Sequence, residues 1–274
     1  MRGWTFATAG FLTLALILGF STAPAAAMQC VPAGQFPQWL EGFKAEAAAQ
    51  GVGPRGLAVL DGVQYDRAII AYDHKVRATF KGSFEKFAST RVTAGRVAKA
   101  RRYLKSHGAL FDRIEAQYGV PGPILLAIWG METDFGAVTG KKPIINGLAS
   151  LASDCRRPDL FQRELLAALT MVDQGILTPS QLRGAGHGEL GQTQFLPSSY
   201  LRFAVDFDGD GRKDLMHSQA DVLASTANYL RGYGWNAGGG WEPGSSNFAA
   251  LAGWNKSSNY QRAIALFADR VAGR

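Results

Sequence analysis

The sequence predicts a mainly α-helical protein. Apolar residues recur at helical spacing through several long segments, with charged residues on the opposite faces. Strand-like alternation is scarce, leaving room for at most a small β-hairpin near residues 138–146 or 200–216. Two glycine-dense stretches, 184–191 and 235–244, interrupt the helices where no regular element survives.

The chain opens with a leader. Residues 1–27 carry one charge, Arg2, then an apolar run from Phe11 to Phe20, then Ala25-Ala26-Ala27. A charged start, an apolar centre and a small-residue cleavage site read as a secretory signal peptide. The apolar centre is short for a membrane span and no later stretch is long enough, so no transmembrane anchor is expected after cleavage. Met28-Gln29 ahead of Cys30 lacks the small residue of a lipoprotein site. An exported, soluble protein is expected. The net charge is +7, one less without Arg2, which suits an anionic polymer or membrane surface. No nucleic-acid partner is expected, because no run of Lys and Arg is interleaved with aromatics. Cys30 and Cys155 are the two cysteines. In an oxidising compartment they suit a disulfide worth ~4 kcal/mol, with two unpaired thiols as the alternative.

Trp39, Leu40, Phe43 and Ala47 put a helix over 36–50, ended by Gly51-Val-Gly-Pro-Arg-Gly56. A short helix follows over 54–60, and 61–72 is mixed. Phe80, Phe84 and Phe87 form an aromatic stripe that suits a core better than a ligand platform. The span from Val92 to Tyr118 reads as one long amphipathic helix or two. Its polar face carries Arg96, Lys99, Arg101, Arg102 and Lys105, either solvated or in contact with an anionic polymer. Small apolar residues fill 146–152. Strong helices cover 159–174, 221–233 and 259–271.

One carboxylate stands out among these elements. Pro121 and Pro123 suit the first turn of a helix, and the apolar run 124–131 leads to Glu132 before the pattern ends near Gly136. An unpaired carboxylate in so apolar a segment is costly, which raises its pKa toward that of a general acid. A helix-capping acid, or one paired with Lys141 or Lys142, fits the local pattern equally.

The rest of the chain limits the chemistry. The four histidines are scattered, with no H-E-x-x-H or CxxC, so a catalytic zinc is not expected. No G-x-S-x-G elbow, P-loop or dinucleotide fingerprint is present. What remains is a helix-borne Glu132, a glycine loop ending in Gln194, and aromatics. Aromatic faces stack on sugar rings, amides hold hydroxyl and acetamido groups, and one acid can protonate a glycosidic oxygen. Asp206, Asp208, Asp210, Gly211, Arg212 and Asp214 occupy the opening positions of an EF-hand calcium loop. His217 stands where the bidentate Glu belongs, and Asp221 is the candidate replacement. A structural Ca²⁺ is expected there, with no cofactor needed for the chemistry.

Four ordered stretches carry a family resemblance: 130–136 (GMETDFG), 188–200 (GELGQTQFLPSSY), 205–211 (VDFDGDG) and 227–235 (ANYLRGYGW). Together they resemble the lytic murein transglycosylase B family over nearly the whole mature chain. The likeness implies a lysozyme-like (α+β) core at 91–245, holding the EF-hand-like loop 206–221. It also implies a helical lobe at 28–90, with a C-terminal helix at 246–274 packed on it. The implied reaction is cleavage of the MurNAc–GlcNAc β-1,4 bond of peptidoglycan glycan strands, leaving a 1,6-anhydro-MurNAc end. The implied catalytic acid is Glu132, and the active-site amide is Gln194. Phe87, Tyr229, Trp254 and Tyr260 are the implied sugar-binding aromatics, and Arg156 and Arg157 the contact with the peptide stem. With the leader, a periplasmic location is expected, and a monomer, with a cell-wall remodelling complex as the candidate partner.

Two positions depart from the family pattern. Ala185 stands where a Ser is familiar, and Glu189 where a small residue is usual. A second carboxylate beside Glu132 raises the alternative of an inverting muramidase, which needs a water-holding base across the scissile bond. A non-catalytic wall-binding protein is the other alternative.

Overall fold

The computed structural model describes residues 28–76 and 82–274, so the expected leader and Phe80 lie outside the described residues. Helices dominate. The first, α1 (Phe36–Ala49), buries Phe36, Trp39, Leu40, Phe43 and Ala47, the stripe its spacing requires. α2 (Pro54–Leu57) follows Gly53 and is extended by a 3₁₀ turn to Leu60. The segment read as mixed becomes α3 (Arg67–Val76). Its start is held by Asp66, whose Oδ1 accepts from the amides of Ala68 and Ile69 at 2.9 and 3.1 Å.

Ser83 caps α4 (Phe84–Arg91) and Thr93 caps α5 (Ala94–Ser106). The long amphipathic pattern resolves into two helices, because His107 adopts φ −122° and ψ 29° between α5 and α6 (Gly108–Tyr118). The helix carrying Glu132, α7 (Gly122–Thr133), has nearly every residue buried. It lies among α5, α6, α11 (Gln219–Gly232) and α13 (Ser258–Ala272). Burying each of its large side chains contributes roughly 2 kcal/mol.

Strand β1 (Lys142–Pro143) pairs antiparallel with β2 (Arg183–Gly184). This corrects the hairpin expectation: the partner of the 138–146 segment lies some forty residues on, and 200–216 forms no strand. Between the two strands, α8 (Ile144–Ser153) and α9 (Pro158–Asp173) pack against each other, with α10 (Pro197–Phe203) also on α9. The C-terminal segment holds two helices rather than one, α12 (Ser246–Trp254) and α13. α13 packs on α4, α5 and α7. This mostly helical arrangement with one small two-stranded sheet among the described residues is the mainly α (α+β) architecture the sequence predicts.

Cys30 and Cys155 form a disulfide with Cα atoms 4.9 Å apart, so the alternative of unpaired thiols is set aside. It ties the start of the described chain to the α8–α9 turn. Val31 N donates to Ser153 O at 2.9 Å, and Gln162 both accepts from Met28 N and donates to Met28 O at 2.8 Å.

Candidate active site

Glu132 sits on the last turn of α7, where the chain reverses through three successive left-handed residues. Asp134, Phe135 and Gly136 have φ of 53°, 62° and 82°. Two non-glycine residues in this region are unfavourable and persist because neighbours over-determine them. Arg96 Nε donates to Asp134 Oδ1 at 3.2 Å, and Lys99 Nζ donates to Asp134 O at 3.1 Å. Part of the basic face of α5 is therefore spent on this turn. The Phe135 ring packs edge-on against Trp129 at 5.5 Å and stacks on Tyr103 at 5.5 Å. Gly136 is required here: a Cβ would stand 2.3 Å from Gln192 Oε1, at a φ that L side chains rarely adopt.

Gln192 joins the acid helix to the glycine loop. Its Oε1 accepts from Trp129 Nε1 at 3.0 Å, its carbonyl accepts from Thr133 Oγ1 at 2.5 Å, and its Nε2 donates to Met216 O at 2.9 Å. Sequence reasoning chose Gln194 and passed over Gln192; a second amide in the same short loop was the available signal. Gln194 has φ 56° and donates through Nε2 to Gly191 O at 2.9 Å and Thr139 O at 3.3 Å. Both amide protons are used internally, so its carbonyl remains as an acceptor for a ligand.

The carboxyl of Glu132 neither caps a helix nor pairs with Lys141 or Lys142. Its Oε1 accepts from Tyr260 Oη at 2.7 Å and Trp254 Nε1 at 2.9 Å. Burial raises its pKa from 4.5 to about 7, opposed by those two donors and by the charge of Arg91, and reinforced by Glu189. Because Oε1 already receives two donors, the acidic proton belongs on Oε2. Tyr260, buried against this carboxyl, is held well above the usual phenol range by desolvation and by the Glu132 charge, so it stays a donor.

Glu132 opens onto a cavity of about 530 Å³, where it meets Glu189, Gln194, Tyr229, Trp254 and Arg157. The Tyr229 ring lies edge-on to Trp254 at 4.9 Å and stacks on Tyr233 at 4.7 Å, with its hydroxyl donating to Gly253 O at 2.9 Å. Three expected residues do not line the cavity. Tyr260 supports Glu132 from behind. Phe87 is buried beyond it, with ring centroids 6.0 Å apart and Arg91 over its face. Arg156 reaches Asp73 instead, at 2.5 Å.

The far wall holds residues the sequence did not single out. Asp73, 1% exposed, binds both Arg156 and Arg157, and His187 Nε2 stands 3.7 Å away. Tyr72, well exposed, packs its ring 5.1 Å from His187 on the cavity rim. These residues belong to α3 and the glycine loop, more than a hundred positions apart.

The acidic loop is separate from the cavity. Asp206, Asp208 and Asp210 bring carboxylate oxygens within 4.8 Å of one another, with Gly211 at φ 87°. Asp221 is fully buried and accepts from Phe207 N at 2.7 Å and Asp214 N at 2.8 Å. Asp214 accepts from the amides of Met216 and His217, with His217 Nδ1 3.0 Å from its other oxygen. Arg212 N donates to Asp210 Oδ1 at 2.8 Å. Three carboxylates thus come together, part of the oxygen set a Ca²⁺ takes, while Asp214 and Asp221 accept backbone amides of the loop.

Comparison with known proteins agrees with this geometry. The family described as Transglycosylase SLT domain matches residues 35–246. Membrane-bound lytic murein transglycosylase B of Escherichia coli (strain K12) is 35% identical over 158 residues, 57% of this chain and 44% of that protein, so the match spans less than half of that relative. SltB3 from Pseudomonas aeruginosa, solved in complex with NAG-anhNAM-pentapeptide, superposes with a TM-score of 0.79 at 30% identity, covering 87% of this chain and 80% of that one. Escherichia coli Slt35, solved in complex with calcium, shares the fold with a TM-score of 0.74 at 23% identity, covering 85% and 92% of the two chains. A half-buried acid at the head of a cavity, on a chain matched over most of its length, places this protein in the transglycosylase SLT domain family, among its lytic transglycosylase B-like members.

Proposed function

We propose that the protein is a lytic transglycosylase that cuts the MurNAc–GlcNAc β-1,4 bond of peptidoglycan and closes a 1,6-anhydro-MurNAc end. The observation that carries this reading is Glu132, half-buried, with a pKa of about 7 and one oxygen occupied by Tyr260 and Trp254. Such a group is half protonated near neutral pH, the state in which one residue serves as acid and then as base. The Oε2 proton passes to the glycosidic oxygen as the bond to C1 breaks. The carboxylate, steadied by its two donors, then takes the proton of the muramyl C6 hydroxyl as that oxygen closes on C1. No second carboxylate is needed as nucleophile or water-holding base.

The cavity suits the substrate. Tyr229 and Trp254 offer aromatic surface for sugar rings. Asp73 fixes Arg157 at the wall, where a guanidinium suits the carboxylates of a peptide stem. SltB3 is described with a NAG-NAM-pentapeptide of this kind. Peptidoglycan as substrate implies work outside the cytoplasm, in keeping with the leader expected from the sequence. Among the described residues no helix is long and apolar enough to cross a membrane. Asp206, Asp208 and Asp210, with the Arg212 carbonyl, would hold a structural Ca²⁺, and Asp214 and Asp221 keep that loop in shape.

Mass spectrometry of sacculi digested with the purified protein tests the proposal. Anhydro-muropeptides that disappear with Glu132→Gln support it. Reducing ends from the wild type, or full activity in the variant, refute it.

A further inference from the structure

Glu189 is the second carboxylate of the cavity, and the mechanism above leaves it without a task. Its backbone is rigidly placed. The next residue, Leu190, is fully buried and exchanges two hydrogen bonds with Phe195, at 2.8 and 2.9 Å, and it bridges to Gly184. A Cβ on Gly184 would meet Glu189 O at 1.8 Å, so the two segments are in direct contact. The side chain is poorly satisfied by contrast: Glu189 lines the cavity, and its Oε2 is sealed from water with no donor. That sealed position stays without a donor whichever oxygen fills it, so the carboxylate keeps its other oxygen as the acceptor toward the cavity.

The other acceptors are spoken for. Both oxygens of Asp73 are taken by Arg156 and Arg157, and Oε1 of Glu132 by Tyr260 and Trp254. The Gln194 carbonyl is available but neutral. Glu189 is therefore the charged acceptor left facing a bound glycan. An N-acetylated sugar brings one obligatory donor, its amide N–H. That N–H grows more acidic when the acetamido oxygen bonds to C1, so its hydrogen bond to a carboxylate strengthens as the reaction proceeds. The Glu189 charge also acts on Glu132, against Arg91 from α4, which puts the two carboxylates in one electrostatic site.

We infer that Glu189 binds the 2-acetamido N–H of the reacting muramyl residue and stabilises the oxazolinium formed when the glycosidic bond breaks. This rests on the transglycosylase reading. The acetamido oxygen attacks C1 as the C1–O bond breaks and Glu132 protonates the leaving oxygen. The positive charge then lies on the O–C–N group beside Glu189. The C6 hydroxyl next attacks C1, releases the acetamido oxygen and returns its proton to Glu132, so the reaction closes with no net consumption of water or protons.

The test uses wild type, Glu189→Gln and Glu189→Ala, each checked for an unchanged melting curve, with Glu189→Asp as the substitute where Ala fails to fold. The measurements are kcat and KM on purified glycan strands, and the affinity of N-acetylglucosamine-thiazoline, a stable oxazoline mimic, beside that of chitotetraose. A hydrogen bond to a charged group predicts a kcat about 10- to 100-fold lower in the Ala variant, with Gln intermediate. KM and chitotetraose affinity should stay within about threefold, while thiazoline affinity falls with kcat. Unchanged kcat and thiazoline affinity overturn the inference, and so does an equal loss of thiazoline and chitotetraose binding. Reducing ends that vanish in Glu189→Gln also overturn it, by making Glu189 a water-directing base. Wild-type products judge the transglycosylase reading separately, since anhydro ends sustain it whatever the Glu189 variants do.

Discussion

Replacing Glu132 by Gln should stabilise the protein, and do so only at higher pH. The folded-state pKa stands at about 7 against 4.5 for an exposed carboxyl, with burial the largest cause. Below 4.5 both folded and unfolded forms carry the proton and there is no penalty. As pH rises from 4.5 to about 7, the unfolded chain sheds the proton while the folded one keeps it, so stability is lost across that window. The shift corresponds to about 3 kcal/mol at its full extent. A Gln side chain keeps an oxygen for Tyr260 and Trp254 and carries no charge to desolvate. Thermal denaturation of both forms at pH 5 and pH 8 reads the difference. At pH 8 the variant should melt roughly 6–10 °C above wild type, with most of the gap gone at pH 5. A gap that does not change with pH, or a wild type more stable at pH 8, would refute the claim that desolvation holds this acid near neutrality.

Tyr260→Phe removes a donor to the ionised form of Glu132, so its pKa should rise and the alkaline limb of kcat/KM should move up by about one unit; a limb that stays put contradicts the geometry. Saturating Ca²⁺ should raise the melting temperature, by the equivalent of about 2.7 kcal/mol at a hundredfold excess over Kd. Chelation should reverse this and Asp210→Asn abolish it, and calorimetric titration reads the same site directly. Reduction of Cys30–Cys155, separated by 125 residues, should cost ~4 kcal/mol in denaturant unfolding while leaving the Glu132 cavity assembled; a reduced protein of unaltered stability would contradict it.

The fold class was legible because helical periodicity is local. Trp39, Leu40, Phe43 and Ala47 name the buried face of α1 without reference to any other part of the chain. Where the local signal was weak, the reading was weaker. α3 is announced by one capping residue, Asp66, in a segment that looked mixed, and α12 follows a glycine loop with no amphipathic stripe to mark it. The strand pair was misread because a two-residue strand has no periodicity, and its partner is chosen by how α8 and α9 return the chain.

The candidate site divides the same way. A carboxylate after eight apolar residues is costly wherever the helix packs, so Glu132 could be singled out from residue order alone. Which groups meet it could not. Tyr260 and Trp254 arrive from more than a hundred residues away, Phe87 stops one ring short of the cavity, and Asp73 pairs with both arginines assigned to the peptide stem. Glu189 showed as a departure in the sequence, but its unpaired oxygen appears only once the cavity is closed around it. Residue order determined the helices and the acid, because periodicity and desolvation act within a few turns of chain. Tertiary structure alone decided the acid's partners, because hydrogen bonds across the cavity depend on how distant helices pack, and packing leaves no mark at any single position.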